Sequence, residues 1–488
     1  MNRTPAALLA ISLLFAGCKA GPDYKRADPP VPARFGSLEP GIATSEPLDA
    51  EHMKTWWKIF RDPVLDSLIQ RAVEGNLDVR IAESRVRQAR AQRGLASSKY
   101  YPEGEVDGSY QRFKTTESGF TSGATTGTGT AGTRDRRFGL YLLGFDASWE
   151  IDVFGGVRRE VEAADADLAA SREGLRDTLV TLQGEVARNY VEVRALQLRL
   201  DIAREDVKAR RENVELNEAK FRGGLIPELD LARARGALAN AESTIPLLEN
   251  ALRAAMHRLA VLLGQEPMSL VKELSVKTDL PQVPENLPAG LPSELLRRRP
   301  DIRRAERELA ADTARIGVSA VDLFPRFSLT GSFGYQSLHV DDLFDQGSNF
   351  WRIGPTIQWN ILNLKRILSN IEARKAVRDG SLAHYEKSVL TALEEVENAL
   401  VSLAQEKRRV GVLTDAVKAN GLAADLALSR FQAGLESYLA VIDAQGALRV
   451  SQDQLAQSKQ NTVLGFIALY KALGGGWQEA GAEPQRTE

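Results

Sequence analysis

The feature that most constrains how this chain folds is an internal repeat, in which the second half reproduces the pattern of the first. Lys220–Leu225 (KFRGGL) aligns with Arg430–Leu435 (RFQAGL) at a shift of 210 residues, and Gly236-Ala237-Leu238 aligns with Gly446-Ala447-Leu448 at the same shift. Self-similarity over such a period indicates that one structural unit occurs twice. We therefore expect two similar halves.

The shift between the halves changes once along the chain. Trp149 aligns with Trp359 at a shift of 210, whereas Tyr101-Pro102 aligns with Phe324-Pro325 at a shift of 223. The first half therefore holds 13 extra residues, and these fall in the Gly/Ser/Thr-rich segment Thr115–Thr133. That composition is typical of a long flexible loop.

Two segments in each half alternate between apolar and polar residues. The alternation is strict over Phe145–Val153 and over its counterpart Trp351–Ile361, and it is also present in Phe327–Gln336 and, more weakly, in Val106–Gln111. A period of two predicts β-strands. Their length is close to the ~9–11 residues that cross a bilayer as a tilted strand, although a soluble antiparallel sheet with one wet face is the alternative.

Four strands cannot close a barrel in a membrane, because small barrels need about eight strands and an open edge is not tolerated in lipid. The protein must then oligomerise, and three copies would supply twelve strands. In such a barrel the acidic face formed by Asp146, Glu150 and Asp152 would line the lumen and could bias passage toward cations.

Long helices are predicted between the strand pairs. Val157 to about Arg222 and Ile367 to about Gln432 contain almost no proline, and each would be ~100 Å long at 1.5 Å per residue. Two shorter helical segments, about Asn76 to Lys99 and Pro227 to Gly264, could stack end to end beside a long one, which suits a tapering hollow cylinder. A dimeric or trimeric coiled-coil scaffold is the alternative, but it leaves the alternating strands unexplained.

The N-terminus carries the signals of an exported lipoprotein. Pro5–Gly17 is a 13-residue, mostly apolar run, which is too short to span a bilayer and matches the core of a signal peptide. The sequence Phe15-Ala16-Gly17-Cys18 resembles a bacterial lipobox, with Phe15 in the place of the usual leucine, so we expect acyl chains on Cys18. Lys19 after the cysteine predicts an outer-membrane rather than an inner-membrane destination.

Composition excludes several other classes of protein. The 63 Lys and Arg residues against 65 Asp and Glu give a net charge of −2, so no nucleic-acid partner is expected. Cys18 is the only cysteine and the four histidines are far apart, which argues against disulfides, a zinc cluster or a catalytic acid/base group. The sequence also lacks HExxH, P-loop and GxSxG motifs, so we expect no enzyme activity, no metal and no cofactor beyond the covalent lipid.

Several short motifs together resemble the outer-membrane efflux protein family, the TolC-like outer-membrane factors, and in particular its lipoprotein branch serving resistance/nodulation/division multidrug efflux systems. They span nearly the whole mature chain. The matching motifs are Cys18 with Gly21-Pro22-Asp23-Tyr24, Trp56-Trp57 with Phe60 and Asp62-Pro63, Asn76-Leu77-Asp78, Leu295–Ile302 (LLRRRPDI) with Ala305-Glu306, and Ser437-Tyr438-Leu439 followed by Asp443-Ala444-Gln445.

The resemblance implies a mostly α fold with a transmembrane β-barrel portion. It would be a homotrimer, with a twelve-stranded barrel of four strands per subunit continuous with a long periplasmic α-helical barrel and an equatorial collar. The protein would sit in the outer membrane of a Gram-negative bacterium, in contact with its lipid, and extend into the periplasm. It would act as the passive exit duct for a periplasmic adaptor (membrane fusion) protein and an inner-membrane resistance/nodulation/division transporter.

The same resemblance suggests a domain organisation. The expected segments are a lipoprotein signal peptide (1–17), an N-terminal extended segment and collar (18–63), a first repeat (64–266), a Pro-rich linker and collar (267–293), a second repeat (294–475) and a flexible C-terminal tail (476–488).

Candidate gate residues follow from the match to the family's periplasmic tip. Asp443 would project into the closed aperture, and Leu439 lies one helical turn earlier on the same face. Arg222, Asp230 and Arg233 lie near the paired turn and are candidate latch residues. The alternative for each of them is a solvated side chain on a helix surface.

Two other functions stay open on the sequence alone. An exit duct for type I protein secretion would share the fold, although the lipobox and the Pro22-Asp23-Tyr24 segment favour the efflux branch. A soluble periplasmic coiled-coil scaffold would be extracted without detergent.

Overall fold

The computed structural model describes residues 19–39, 43–44, 53–114, 137–284 and 287–477. The chain divides into two compact units. We call the one formed by Met1–Arg26, Arg87–Ala169 and Arg307–Ala383 the strand unit, and the one formed by Ala27–Val86, Ala170–Glu306 and His384–Glu488 the helix unit. Cys18, the signal peptide, most of the C-terminal tail and the loop Thr115–Thr133 lie outside the described residues, and the predictions for them stay predictions, as do the domain boundaries.

The described α-helices confirm the predicted helical segments, with ends that agree to within three residues. The two long helices have 67 and 69 residues. In chain order the helices are α1 (Pro63–Gly75), α2 (Leu77–Ser98), α3 (Gly156–Arg222), α4 (Glu228–Leu262), α5 (Val271–Leu274), α6 (Pro292–Arg298), α7 (Pro300–Ala320), α8 (Leu364–Gln432) and α9 (Tyr438–Ala472). None of these helices combines the length and the hydropathy that crossing a membrane requires.

Local sequence signals set where the first helices begin. The Asp62 carboxylate accepts hydrogen bonds from the backbone N–H groups of Val64 (2.9 Å) and Leu65 (3.3 Å), and Pro63 occupies the first helical position of α1. Asn76 likewise accepts from the N–H groups of Asp78 and Val79 at the start of α2. Such caps satisfy backbone donors that have no partner inside the helix, and each contributes about 1 kcal/mol.

The strand unit contains a four-stranded antiparallel sheet. The helix unit contains a separate pair of two-residue strands. In chain order the described strands are β1 (Ala43–Thr44), β2 (Glu103–Lys114), β3 (Arg137–Ile151), β4 (Leu287–Pro288), β5 (Arg326–Ser337) and β6 (Asn349–Gln358). The sheet has the order β2-β3-β5-β6, and β1 pairs in parallel with β4. All four predicted strands are present, but β3 ends before Asp152 and β6 ends before Trp359, although the alternating pattern continues through both.

Equivalent residues of the two repeats make equivalent contacts in the strand unit. The indole N–H of Trp149 donates to the carbonyl oxygen of Tyr100 (3.0 Å), and that of Trp359 donates to the carbonyl oxygen of Leu323 (3.1 Å). The donors differ by 210 positions and the acceptors by 223, as the sequence alignment requires. The internal repeat is therefore also a repeat of structure.

The largest apolar core lies in the helix unit. Trp56, which is 1% exposed, stacks on Tyr470 with ring centroids 5.8 Å apart, and Phe466 contacts both rings. Burying an aromatic side chain of this size contributes about 1.5–3 kcal/mol, and each aromatic pair adds about 0.5–1.5 kcal/mol. Burial also raises the pKa of Tyr470 to about 12, so its hydroxyl stays protonated.

Candidate functional site

The two turns that follow the long helices have the same backbone geometry. Gly224 and Gly434 adopt φ values of +73° and +74°. The N–H of Leu225 donates to the carbonyl of Lys220, and the N–H of Leu435 donates to the carbonyl of Arg430, both at 2.9 Å. This is the Schellman arrangement, which needs glycine because other residues are strained at positive φ.

The side chain of Lys220 connects the two turns through hydrogen bonds. The Lys220 ammonium donates to the carbonyl oxygens of Phe431 (2.7 Å) and Gln432 (3.3 Å), and it lies 4.3 Å from the centroid of the Phe431 ring. Beneath it, Phe431 and Tyr438 pack with ring centroids 5.2 Å apart. Burial raises the pKa of Tyr438. We call this cluster the tip core; its buried members are Val214, Ala234, Phe431, Tyr438 and Val441.

The two candidate gate residues lie on α9 just after the second turn. Leu439 is 43% exposed and Asp443, four residues later, is also exposed. Val441 is fully buried in the tip core, and Gln445 accepts a hydrogen bond from Asn213 of α3 at 2.9 Å. The helix is thus held through Val441 and Gln445, while Leu439 and Asp443 remain accessible on the single chain.

The structure does not join the three candidate latch residues. Asp230 pairs with Arg233 on the same helix at 3.5 Å, and Arg222 donates to the Glu218 carbonyl of its own helix at 3.4 Å. Among the ion pairs that link α3 to α4, the one nearest the turn is Glu218–Arg235 at 2.8 Å, which the sequence analysis missed. Pairing residues at equal distances before and after the turn could have predicted this contact, because the two helices of a hairpin run antiparallel and such residues face each other.

On one face of the sheet, the acidic and the basic side chains lie on different strands. Glu105 of β2 lies opposite Asp146 of β3, Asp146 lies opposite Ser332 of β5, and Ser332 lies opposite Arg352 of β6. This polar face is therefore acidic on one side and basic on the other. Besides the predicted Asp146 and Glu150 it carries residues that the sequence analysis did not single out, namely Glu103, Glu105, Asp107, Arg326 and Arg352.

Asp152, predicted to share that face, lies beyond the end of β3. Its carboxylate accepts hydrogen bonds from the N–H groups of Val157 (3.1 Å) and Arg158 (3.0 Å), and from the Arg158 guanidinium (3.1 Å). The side chain is only 15% exposed. It satisfies the first backbone donors of α3, so it belongs to the helix start and not to the polar face.

The chain is similar over nearly its whole length to a family model and to several proteins. The Outer membrane efflux protein family model matches residues 68–265 and 291–475. The chain is 31% identical to Nodulation protein T of Rhizobium leguminosarum bv. trifolii over 471 residues, which are 96% of each chain. It is 32% identical to Toluene efflux pump outer membrane protein TtgF of Pseudomonas putida over 485 residues, which are 98% of each chain.

Solved structures give the same result. The outer-membrane channel OprN is 35% identical and superimposes with a TM-score of 0.85, over 94% of this chain and 100% of that one. The channel-forming CusC is 27% identical with a TM-score of 0.78, over 94% of this chain and 100% of that one. These matches show that the chain belongs to the outer membrane efflux protein family.

Proposed function

We propose that this protein is the outer-membrane exit channel of a tripartite efflux system and passively conducts small molecules to the exterior. The observation that carries the proposal is the similarity to OprN, described as an outer-membrane channel, over 94% of this chain. The names of relatives such as TtgF, a toluene efflux pump outer membrane protein, support an efflux role. The energy for transport then comes from the inner-membrane pump, and the channel itself carries out no chemistry.

The assembly that we propose is a homotrimer with a twelve-stranded barrel. Within the described chain, β2 pairs only with β3 and β6 pairs only with β5, so the sheet has two open edges. The face opposite the polar one carries large exposed apolar side chains, among them Phe145, Trp351 and Ile353. An apolar outer face and open edges suit a sheet whose edges are completed by other copies in lipid.

The proposed partners are a periplasmic adaptor and a resistance/nodulation/division transporter, and the proposed anchor is a lipid on Cys18. The exposure of Leu439 and Asp443 supports a gate at the tip, where three copies would form an apolar ring and an acidic ring. Three nearby carboxylates repel one another, so cations or an adaptor must stabilise the closed ring.

Reconstitution tests the channel directly. The purified full-length protein in a planar lipid bilayer should give discrete conductance steps, and it should co-purify with a proton-driven pump and its adaptor when all three are expressed together. Co-purification with an ATP-driven protein exporter would instead support type I secretion. A monomer that is extracted without detergent and gives no conductance would contradict the proposal.

A further inference from the structure

We infer that a cavity in the helix unit binds a small organic anion with an apolar body. The cavity has a volume of about 600 Å³ and lies between α3, α8, α9 and the segment Lys277–Val283, which we call the linker wall. Arg194, which lines it on α3, is about 39 Å from Lys220 along that helix at 1.5 Å per residue. The site is therefore separate from the candidate gate, and the inference does not depend on the proposed channel activity.

The cavity has the size and the mixed lining of a small-molecule site. Each wall contributes an apolar side chain, for example Leu198 of α3, Val410 of α8, Val463 of α9 and Leu280 of the linker wall. Ligand pockets typically have volumes of ~300–1,000 Å³, with a mostly apolar lining and a few polar groups that orient the ligand. The lining therefore suits a ligand with a compact apolar body.

The charged side chains of the lining are mainly cationic. They are Arg194, Lys277, Lys407 and Lys459, against Asp201 and Asp279. Lys277 forms an ion pair with Asp201, so these two charges compensate each other. Lys459 is exposed, and it forms no ion pair with any residue in the described part of the chain. The remaining excess of positive charge favours an anionic ligand.

Arg194 carries the most buried of these charges. It is 2% exposed, and its Nη1 donates to the Gln197 side chain (2.9 Å) and to the carbonyl oxygen of Val276 (2.6 Å). Its Nε has no hydrogen-bond partner, and no carboxylate lies within ion-pair distance, among the residues that the structure describes. Arginine keeps its charge, and a buried charge is costly without a counter-charge. The cation–π contact with the Tyr190 ring, at 4.8 Å, offsets part of that cost, and a bound anion would offset more.

The linker wall is attached at its two ends and can adapt to a ligand. Arg194 donates to Val276 just before the wall, and Lys407 donates to the carbonyl oxygen of Pro284 (3.0 Å) just after it. Between these points the wall makes no backbone–backbone hydrogen bond to any described residue. A second cavity, of about 1020 Å³, is lined by the wall and by residues from 55 to 64. Because the wall borders both cavities and has few backbone constraints, it can shift to admit a ligand.

Binding of a small aromatic sulfonate tests the site. The probe is 2-naphthalenesulfonate, and the control is 2-naphthylmethylammonium, which has a similar shape and the opposite charge. Saturation-transfer NMR on the full-length protein in a non-ionic detergent, with empty micelles as background, should show saturable binding of the sulfonate. A Kd of about 0.1–1 mM is expected for a ligand of this size. The cation should bind about tenfold more weakly, because it meets like charges in the cavity.

Two matched pairs of variants locate the binding. Val410→Trp fills the cavity from α8 and should abolish sulfonate binding, whereas Val412→Trp, at a side chain of the same helix that is 71% exposed and outside the lining, should leave it unchanged. Lys459→Glu should weaken sulfonate binding about tenfold, and the conservative Lys459→Arg should retain it. Lys418→Glu makes the same charge reversal at a side chain that is 75% exposed and outside the lining, and it should have little effect.

The outcomes separate this inference from the proposed function. Each variant should migrate on a native gel like the wild type, so that loss of binding does not reflect unfolding. The site is overturned if the sulfonate shows no saturable binding up to about 10 mM, if both probes bind equally, or if each control variant loses as much binding as its partner. A protein that conducts in a bilayer but does not bind the sulfonate overturns this inference alone. A protein that binds the sulfonate but gives no conductance contradicts the proposed function alone.

Discussion

The ammonium of Lys220 lies 2.7 Å from the carbonyl oxygen of Phe431 and 4.3 Å from the centroid of the same residue's ring. The contact joins the turn of the first repeat to the turn of the second. It is not reciprocated, because the repeat equivalent of Lys220 is Arg430, which lies 3.6 Å from Glu436 of its own turn. The Lys220 side chain of the first repeat therefore contributes to the stability of the end of α8, together with the apolar tip core.

Removing this ammonium should loosen the second turn without unfolding the protein. We expect Lys220→Met to cost about 1 kcal/mol locally, because charge-assisted hydrogen bonds to two carbonyls and a cation–π contact are lost. Hydrogen exchange of peptides covering 428–440 should be about fivefold faster. The control Lys418→Met, at a side chain that is 75% exposed, should leave that exchange unchanged. Equally faster hydrogen exchange in both variants would contradict a specific role of the Lys220 hydrogen bonds at this turn.

The glycines at positive φ should be intolerant of a side chain. Gly224→Ala and Gly434→Ala should each destabilise their turn by about 1–2 kcal/mol, the cost of a left-handed conformation for an L-residue. Gly223 has no such conformation, so Gly223→Ala supplies the matched control and should change little. Local hydrogen exchange measures all three variants, and a large effect of Gly223→Ala would argue against backbone strain as the cause.

Periodicity in the sequence predicted the strands and the long helices, because alternation and the lack of proline over long stretches both report directly on backbone geometry. It could not predict that β3 ends before Asp152. Alternation shows which side chains are polar, but it does not show which backbone N–H groups are hydrogen-bonded to a neighbouring strand. The carboxylate of Asp152 accepts a hydrogen bond from the backbone N–H of Val157, at the start of α3. The Glu218–Arg235 pair was missed for another reason: periodicity within one helix does not show which residues face each other across a turn, whereas equal spacing from the turn does.

Loss of either repeat-related indole hydrogen bond should have the same cost. Trp149→Phe and Trp359→Phe each remove one N–H donor to a carbonyl, so we expect about 0.5–1.5 kcal/mol for each. The midpoint of heat-induced dissociation in detergent provides the measurement. Trp351→Phe, at a side chain that is 73% exposed, is the control and should shift the midpoint less. Very different effects at Trp149 and Trp359 would mean that the two sites are not equivalent.

Stability should fall in acid partly through Asp301. Burial alone would raise the pKa of this carboxyl, but hydrogen bonds from Arg299 (2.7 and 3.0 Å), the charge of Arg299 and the N–H of Ile302 together lower it. A lowered pKa in the folded state stabilises the protein above the unfolded pKa of about 3.9, and this contribution disappears as the pH falls through the folded value.

The variant Asp301→Asn should therefore lower the free energy of unfolding at pH 7 and flatten its decline below about pH 4. Denaturant unfolding between pH 3 and 7 measures both effects. Asp78, the repeat equivalent of Asp301, is exposed, so Asp78→Asn should change stability by less than about 0.5 kcal/mol. An unchanged acid slope in Asp301→Asn would show that other carboxylates carry the pH dependence.

Charge at position 443 should control which ions pass the closed tip. If three Asp443 carboxylates meet there, Asp443→Lys replaces an acidic ring by a basic one, and the permeability ratio of cation to anion should fall severalfold in bilayer recordings. The effect should be larger at 0.1 M than at 1 M salt, because screening shortens the reach of the ring from about 10 Å to about 3 Å. Asp415→Lys makes the same charge change at a carboxylate that is 83% exposed on α8, and it should leave selectivity unchanged. Identical selectivity in both variants would place Asp443 on an ordinary solvated helix face, outside the conducting path.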